Sequence, residues 1–268
     1  MSSRAGRGPL RMEITRSTDG TSIAYQRTGS GPALVLVVGA FCDRQSTAAL
    51  TPLLAPHFTV LEYDRRGRGD SGGTGACAVE REVEDLAAVV SAAGGSALGY
   101  GHSSGGIIAL EAAARGVPLT RLAVYEPPYT APEDGEASYE LLEAVQKRLA
   151  DDDPDGAAEA FMAGSGAPPE AIAAARQAPY WPRMRALAPT LVNDLTLSDG
   201  GRVPRERLAR VPVPTLAVSG GASPEWAARA CRRVADVVPD ARTAVLDGQT
   251  HGVDPEAVAP LLVDWFRG

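Results

Sequence analysis

The chain has 268 residues, with 26 lysines and arginines against 33 aspartates and glutamates, for a net charge of −7. At this length one core buries roughly 70 to 75% of the surface that the unfolded chain exposes, enough for one domain with an insertion. The acidic balance lacks the basic face that a nucleic acid or an anionic membrane surface requires. Cys42, Cys77 and Cys231 lie far apart with no histidine at ligand spacing, so neither a metal site nor a disulfide framework is expected.

The N-terminal segment carries Arg4, Arg7 and Arg11 without the apolar stretch of a signal peptide. No run approaches the eighteen or so apolar residues of a membrane span, so a cytoplasmic location is expected. Met12–Arg16 and Ser22–Arg27, joined by Thr18-Asp19-Gly20, read as a hairpin at a sheet edge. Short apolar runs without alternation follow at Ala33–Val38, Thr59–Tyr63, Ser96–Tyr100, Arg121–Tyr125, Thr215–Ser219 and Arg242–Leu246. Strands buried on both faces of a parallel sheet have this character. Between them, Val79, Val83, Leu86 and Val90 form one helical stripe, and Val258, Leu261, Leu262, Trp265 and Phe266 form another. Asp254-Pro255 supplies an N-cap and first turn for the last helix.

The alternation predicts an α/β fold, a mostly parallel central sheet with helices on both faces. It stops between Tyr129 and Arg210, an Ala-rich stretch broken by prolines that reads as several short helices inserted between two strands. Within it, Asp151-Asp152-Asp153-Pro154-Asp155-Gly156 opens like a calcium loop, but Met162 stands where a bidentate glutamate is required. A helix N-terminus is the better reading, and no metal is expected.

The strand at Ser96–Tyr100 runs into Gly101-His102-Ser103-Ser104-Gly105 and then into a helical pattern. This Gly-x-Ser-x-Gly, in its strand-turn-helix setting, places Ser103 on a sharp turn at a helix N-terminus, where free N–H groups face developing negative charge. A serine hydroxyl needs a base to become a nucleophile, and the chain offers three histidines. His251, in the loop between the last strand and the last helix, falls at the same sheet edge as Ser103. His102, beside the serine, is expected to point away from it, and His57 to sit in a surface connection.

These features resemble the α/β-hydrolase superfamily, in the branch with a helical cap. Tyr63-Asp64-Arg65-Arg66-Gly67-Arg68-Gly69-Asp70-Ser71-Gly72 is similar to the family's loop after its fourth strand, which implies a structural role for Asp64 to Gly72. The terminal His251 loop and final amphipathic helix match as well. The resemblance implies a core of residues 1–128 and 211–268 with a cap of residues 129–210. Ser103 rather than Asp at the nucleophile position argues against the family's epoxide hydrolases and haloalkane dehalogenases.

Two positions depart from the family pattern. The triad acid usually follows the seventh strand, and the matching segment, Gly220-Gly221-Ala222-Ser223-Pro224, offers only a serine. Either the acid has moved, the enzyme runs on a Ser-His pair, or catalysis is lost. Some members of the fold place the acid after the sixth strand, which points to Glu126; Glu225, Asp247 and Asp254 are weaker substitutes. The family's usual His-Gly after the third strand is Val38-Gly39-Ala40-Phe41 here. An oxyanion hole needs backbone donors rather than that histidine, and the resemblance assigns them to Ala40 and Ser104.

Phe41, Tyr129, Phe161, Trp181 and Met184 are the candidates for substrate contact. The expected function is a serine hydrolase of a small or medium apolar ester, lactone or thioester, working through an acyl-enzyme on Ser103 with His251 and Glu126 and without a cofactor. Acyl transfer, cyclisation or C–C cleavage on the same scaffold, and ligand binding without turnover, are the alternatives. No nucleic-acid or membrane partner is expected.

Overall fold

A computed structural model describes residues 12–73, 78–131 and 137–268, and all structural statements concern these. Eight strands form one sheet: β1 (Met12–Arg16), β2 (Ser22–Gly29), β3 (Ala33–Val37), β4 (Thr59–Tyr63), β5 (Ala97–His102), β6 (Leu119–Tyr125), β7 (Thr215–Gly220) and β8 (Ala241–Leu246). Their order is β1-β2-β4-β3-β5-β6-β7-β8. The hairpin β1–β2 is antiparallel, as its turn sequence predicts, and β2 also pairs antiparallel with β4. From β4 through β8 every pairing is parallel.

Helices cover both faces: α1 (Thr51–Leu54), α2 (Val79–Ala92) and α3 (Ser104–Ala114) precede an inserted set, and α10 (Glu225–Val237) and α11 (Pro255–Arg267) follow it. The inserted set, between β6 and β7, comprises α4 (Glu140–Ala150), α5 (Pro154–Gly164), α6 (Pro169–Arg176), α7 (Trp181–Leu187), α8 (Leu191–Ser198) and α9 (Arg205–Leu208). Alternate residues of the central strands feed two apolar cores. Val35, Val37, Leu122 and Val124 pack with α2, α3 and α10, while Leu34, Leu36, Ala123 and Tyr125 pack with α11. Such two-sided burial is why the strands read as unbroken apolar runs. The insertion has a core of its own around Val145, Ala157, Trp181 and Leu191.

The Asp151–Gly156 run begins α5, with the Asp153 side chain accepting from the Gly156 amide at 2.8 Å and Pro154 in the first turn. Two of the parallel strands run further at their carboxyl ends than the apolar pattern suggests. β5 continues through Gly101 and His102, and β7 through Gly220, because ladder bonding to β6 and β8 holds backbone whatever the side chain. These extensions carry the sheet edge to the candidate site.

Among the described residues no helix is long and apolar enough to cross a membrane. Among them too, no cluster of three or more His, Cys, Asp or Glu side chains is arranged to hold a metal ion. Cys42 and Cys231 are free thiols; Cys77 lies outside the described residues.

Candidate active site

Ser103 sits between β5 and α3 with φ 57° and ψ −127°, a conformation an L residue rarely adopts. Its amide donates to the Tyr125 carbonyl at 2.8 Å, and its carbonyl accepts from Gly106 at 2.8 Å, so both neighbours hold the turn. The flanking glycines are demanded by contact. A Cβ on Gly105 would lie 2.1 Å from the Val37 carbonyl oxygen, and one on Gly101 2.5 Å from that of Gly105. Among the described residues five non-glycine residues have positive φ, and three of them, Phe41, Ser103 and Glu126, are site candidates from three different loops. Strain concentrated in this way marks a functional edge of the sheet.

Glu126 follows β6 and is wholly buried. Its Oε2 accepts from His251 Nδ1 at 2.7 Å, and its Oε1 accepts from the Gly220 amide at 2.7 Å. Burial disfavours the charged carboxylate, but His251 first, then the Ser223 hydroxyl and the Gly220 amide, outweigh it and hold the pKa below the ordinary range. The Ser223 hydroxyl, which makes no well-aligned hydrogen bond of its own, lies close enough to add to this lowering. With its Nδ1 proton committed to Glu126, His251 presents a lone pair on Nε2. Asp247 and Glu225 are exposed, and Asp254 is occupied in capping α11, accepting from the Glu256 amide at 2.9 Å.

The loop bearing His251 is held from below. The Tyr125 hydroxyl donates to the Thr250 carbonyl at 2.7 Å, and the Ala222 amide to the Gln249 carbonyl at 2.9 Å. His102, expected to point away from Ser103, is part of this support. Its ring stacks on Tyr125 and lies 5.0 Å from the His251 ring, with Nε2 2.7 Å from the His251 carbonyl. The carbonyl accepts, so Nε2 carries a proton; burial, with the neighbouring His251 ring, pulls the His102 pKa down to about 4, which favours the neutral ring. The sequence indicates only that the x of Gly-x-Ser-x-Gly points away from the serine, not that it faces the His251 backbone. His57 is exposed, ahead of β4, as expected. Ser103 Oγ makes no direct hydrogen bond to His251 here; such contacts are often long in a resting site and tighten with substrate.

Gly39 lies against the serine: a Cβ there would be 2.8 Å from Ser103 Cβ and 3.4 Å from its Oγ. Ala40 and Ser104 are the residues that directly follow this contacting pair in the chain. Phe41 meets Phe161 of α5 edge to face, with ring centroids 5.3 Å apart, and Met184 joins the same partly buried apolar cluster. Tyr129 does not join them, whereas Trp181 belongs to the core on which they pack. Tyr129 is 1% exposed within the main core, and Trp181 is in the insertion's own core, its Nε1 donating to Asp155 at 2.6 Å. Trp226 of α10, which no sequence signal picked out, lies 5.8 Å from the His251 ring. Cys42, in the same loop as Phe41, has its thiol pKa raised by burial, which keeps it a thiol rather than a thiolate.

The serine elbow, the buried carboxylate and the histidine converge at the carboxyl edge of a parallel sheet, an arrangement of the α/β-hydrolase class. The chain belongs to the alpha/beta hydrolase family, whose model matches residues 34–261. It is similar to the crystal structure of an alpha/beta hydrolase from Sphaerobacter thermophilus DSM 20745, at 46% identity and a TM-score of 0.89 over 95% of this chain and 100% of that one. A hydrolase from Pseudomonas aeruginosa PA01 shares 26% identity with a TM-score of 0.78, covering 98% of this chain and 100% of that one. The esterase RhEst1 from Rhodococcus sp. ECU1013 shares the fold, at 21% identity and a TM-score of 0.71 over 96% of this chain and 98% of that one. Comparison with functionally curated proteins gives no significant match.

Proposed function

We propose that this chain is a serine hydrolase acting through an acyl-enzyme on a small or medium apolar ester, lactone or thioester. The observation that carries the reading is the 2.7 Å contact of the buried Glu126 carboxylate with His251 Nδ1, at the sheet edge where Ser103 occupies a strained strand-to-helix turn. His251 Nε2 takes the Ser103 proton as Oγ bonds to the acyl carbon, and the imidazolium formed is stabilised by Glu126, which stays ionised. The N–H groups of Ala40 and Ser104 receive the oxyanion. The imidazolium then protonates the leaving alcohol or thiol, and a water activated by the same nitrogen releases the acid and frees Ser103.

The insertion acts as a cap in this reading. Phe41 and Phe161, one from each side of the boundary, touch at 5.3 Å, and with Met184 they supply an apolar wall suited to an uncharged acyl group. No cofactor is required, and a reducing cytoplasmic setting suits the free thiols.

A fluorophosphonate probe tests the reading directly. Stoichiometric labelling of the wild type, absent in Ser103→Ala, together with hydrolysis of short and medium p-nitrophenyl esters, is the expected result. A wild type that neither labels nor turns over these esters overturns it.

A further inference from the structure

The loop after β4, expected only to shape a turn, sends two arginines beneath the site. Arg65 and Arg68 are both wholly buried, and both pair with Asp194 of α8, a helix of the insertion. Asp194 is itself 3% exposed. Its Oδ1 accepts from Arg65 Nη1 at 2.7 Å and from the Ser104 hydroxyl at 2.6 Å, and its Oδ2 accepts from Arg68 Nη2 at 2.7 Å. Glu82 of α2 takes the other side of Arg65 at 2.7 Å, so two guanidinium groups face two carboxylates. Both arginines hold the Asp194 carboxyl below the ordinary range despite its burial.

What these charges grip is the backbone of the candidate oxyanion loop. Arg68 Nη1 donates to the Gly39 carbonyl at 2.5 Å and to the Cys42 carbonyl at 2.9 Å, and Arg65 Nη1 to the Val38 carbonyl at 3.3 Å. The Gly39 carbonyl and the Ala40 N–H belong to one planar trans peptide, in which C=O and N–H point in opposite directions. Holding Gly39 O on Arg68 therefore fixes the bearing of the Ala40 N–H away from Arg68. A cation on the carbonyl also polarises that peptide and strengthens its N–H as a donor. The second donor is tethered by the same carboxylate, through the side chain of Ser104.

We propose that Asp194 and Arg68 are positioning residues for the oxyanion hole, so that a carboxylate carried by the insertion sets the aim of both backbone donors. This rests on the reading of Ser103 as nucleophile. Arg66, which lies between the two in the loop, instead pairs with Asp85 and Asp19. One loop thus carries separate structural and positioning arginines.

The test compares Arg68→Lys, Asp194→Asn and Ser104→Ala with the wild type. Lysine keeps a charge opposite Asp194 but cannot serve two carbonyls and a carboxylate in one plane. Ser104→Ala removes one hydroxyl and leaves every ion pair, so it stays folded if the buried charges prove too sensitive to touch. Active sites are counted by end-point fluorophosphonate labelling, and binding of an aryl trifluoromethyl ketone, which forms an oxyanion on the serine, is measured beside KM. Arg68→Lys and Asp194→Asn are expected to lower kcat per labelled site about 10- to 100-fold with KM changed less than about threefold, and Ser104→Ala about three- to tenfold. Ketone affinity falls by the same factor as kcat/KM in each. A purely structural role lowers the melting temperature and leaves kcat per site and ketone affinity unchanged, and that result in the folded variants overturns the proposal. A wild type that neither labels nor binds the ketone overturns the nucleophile assignment, and this inference with it.

Discussion

Glu126 Oε2 lies 2.7 Å from His251 Nδ1, and the Gly220 amide holds the other carboxylate oxygen at 2.7 Å. A carboxylate fixed at both oxygens allows the imidazole one tautomer and one orientation. Glu126→Gln keeps the size of the side chain but offers His251 an amide that can equally donate to Nδ1, which favours the unproductive tautomer. Turnover is expected to fall by about 10²- to 10⁴-fold in Glu126→Gln, against less than about twofold in Asp247→Asn, with ester hydrolysis as the measurement. Equal activities in the two variants refute the assignment of the acid.

His102 predicts a pH dependence of stability. Its folded pKa of about 4 lies below the roughly 6.5 of an unfolded imidazole, so the unfolded chain takes up the proton first as pH falls. The contribution is absent cost above about pH 6.5, and stability is lost progressively between there and about pH 4, by on the order of 3 kcal/mol in all. His102→Gln retains a donor for the His251 carbonyl and does not titrate. Melting temperature measured from pH 7.5 to 4.5 should decline less steeply in this variant; parallel curves would contradict the assignment.

Two glycine substitutions separate contact from conformation. Gly105→Ala drives a methyl to 2.1 Å from the Val37 carbonyl oxygen, where only backbone can yield, and is expected to cost more than about 4 kcal/mol or prevent folding. Gly116→Ala, at φ 82° with nothing within 4 Å, meets only the left-handed penalty of about 1 kcal/mol. Urea denaturation distinguishes them, and similar midpoints would show that the elbow is less tightly packed than its distances imply.

Arg66 and Asp85 form a bidentate pair with both contacts at 2.7 Å, and Asp85 is wholly buried. Asp85→Asn leaves the guanidinium without its buried counter-charge, and a loss of about 3 kcal/mol in unfolding free energy is expected. Because the pair touches no site residue, kcat per folded molecule should be unchanged. A matching fall in kcat would show that the whole loop, and not only Arg65 and Arg68, reaches the chemistry.

Much of the core was legible because its signals are local. Apolar runs marked the buried strands, Gly101 to Gly105 marked the turn, and Asp153-Pro154 and Asp254-Pro255 marked helix starts. Glu126 was legible only through the resemblance and the missing acid at Ser223, since nothing about an isolated Glu before two prolines announces burial. What stayed hidden is long-range. Arg65, Arg68 and Asp194 are ordinary surface residue types, and only the fold shows that residues 126 or more positions apart neutralise one another in the interior. Trp226 and the contact of His102 with His251 stayed hidden for the same reason, that partner lying far along the chain. Tyr129 marks the limit of composition, because an aromatic residue at the start of an insertion serves equally as core or as pocket wall.

The register between β5 and β6 sets His102 opposite Tyr125, so Ser103 and Glu126 leave the sheet as next-door residues on adjacent strands. Glu126 is at the same time bonded across to β7, its amide to the Val218 carbonyl at 3.0 Å and its carboxylate to Gly220, beside the loop that bears Ser223. The histidine's partner thus stands where two strand ends share one small volume, and either end is a mounting point for the same negative charge. Moving that charge from one strand end to its neighbour would leave His251 in place. In this chain the double variant Glu126→Gln with Ser223→Asp retraces that exchange, and activity above that of Glu126→Gln alone would measure how freely the edge permits it.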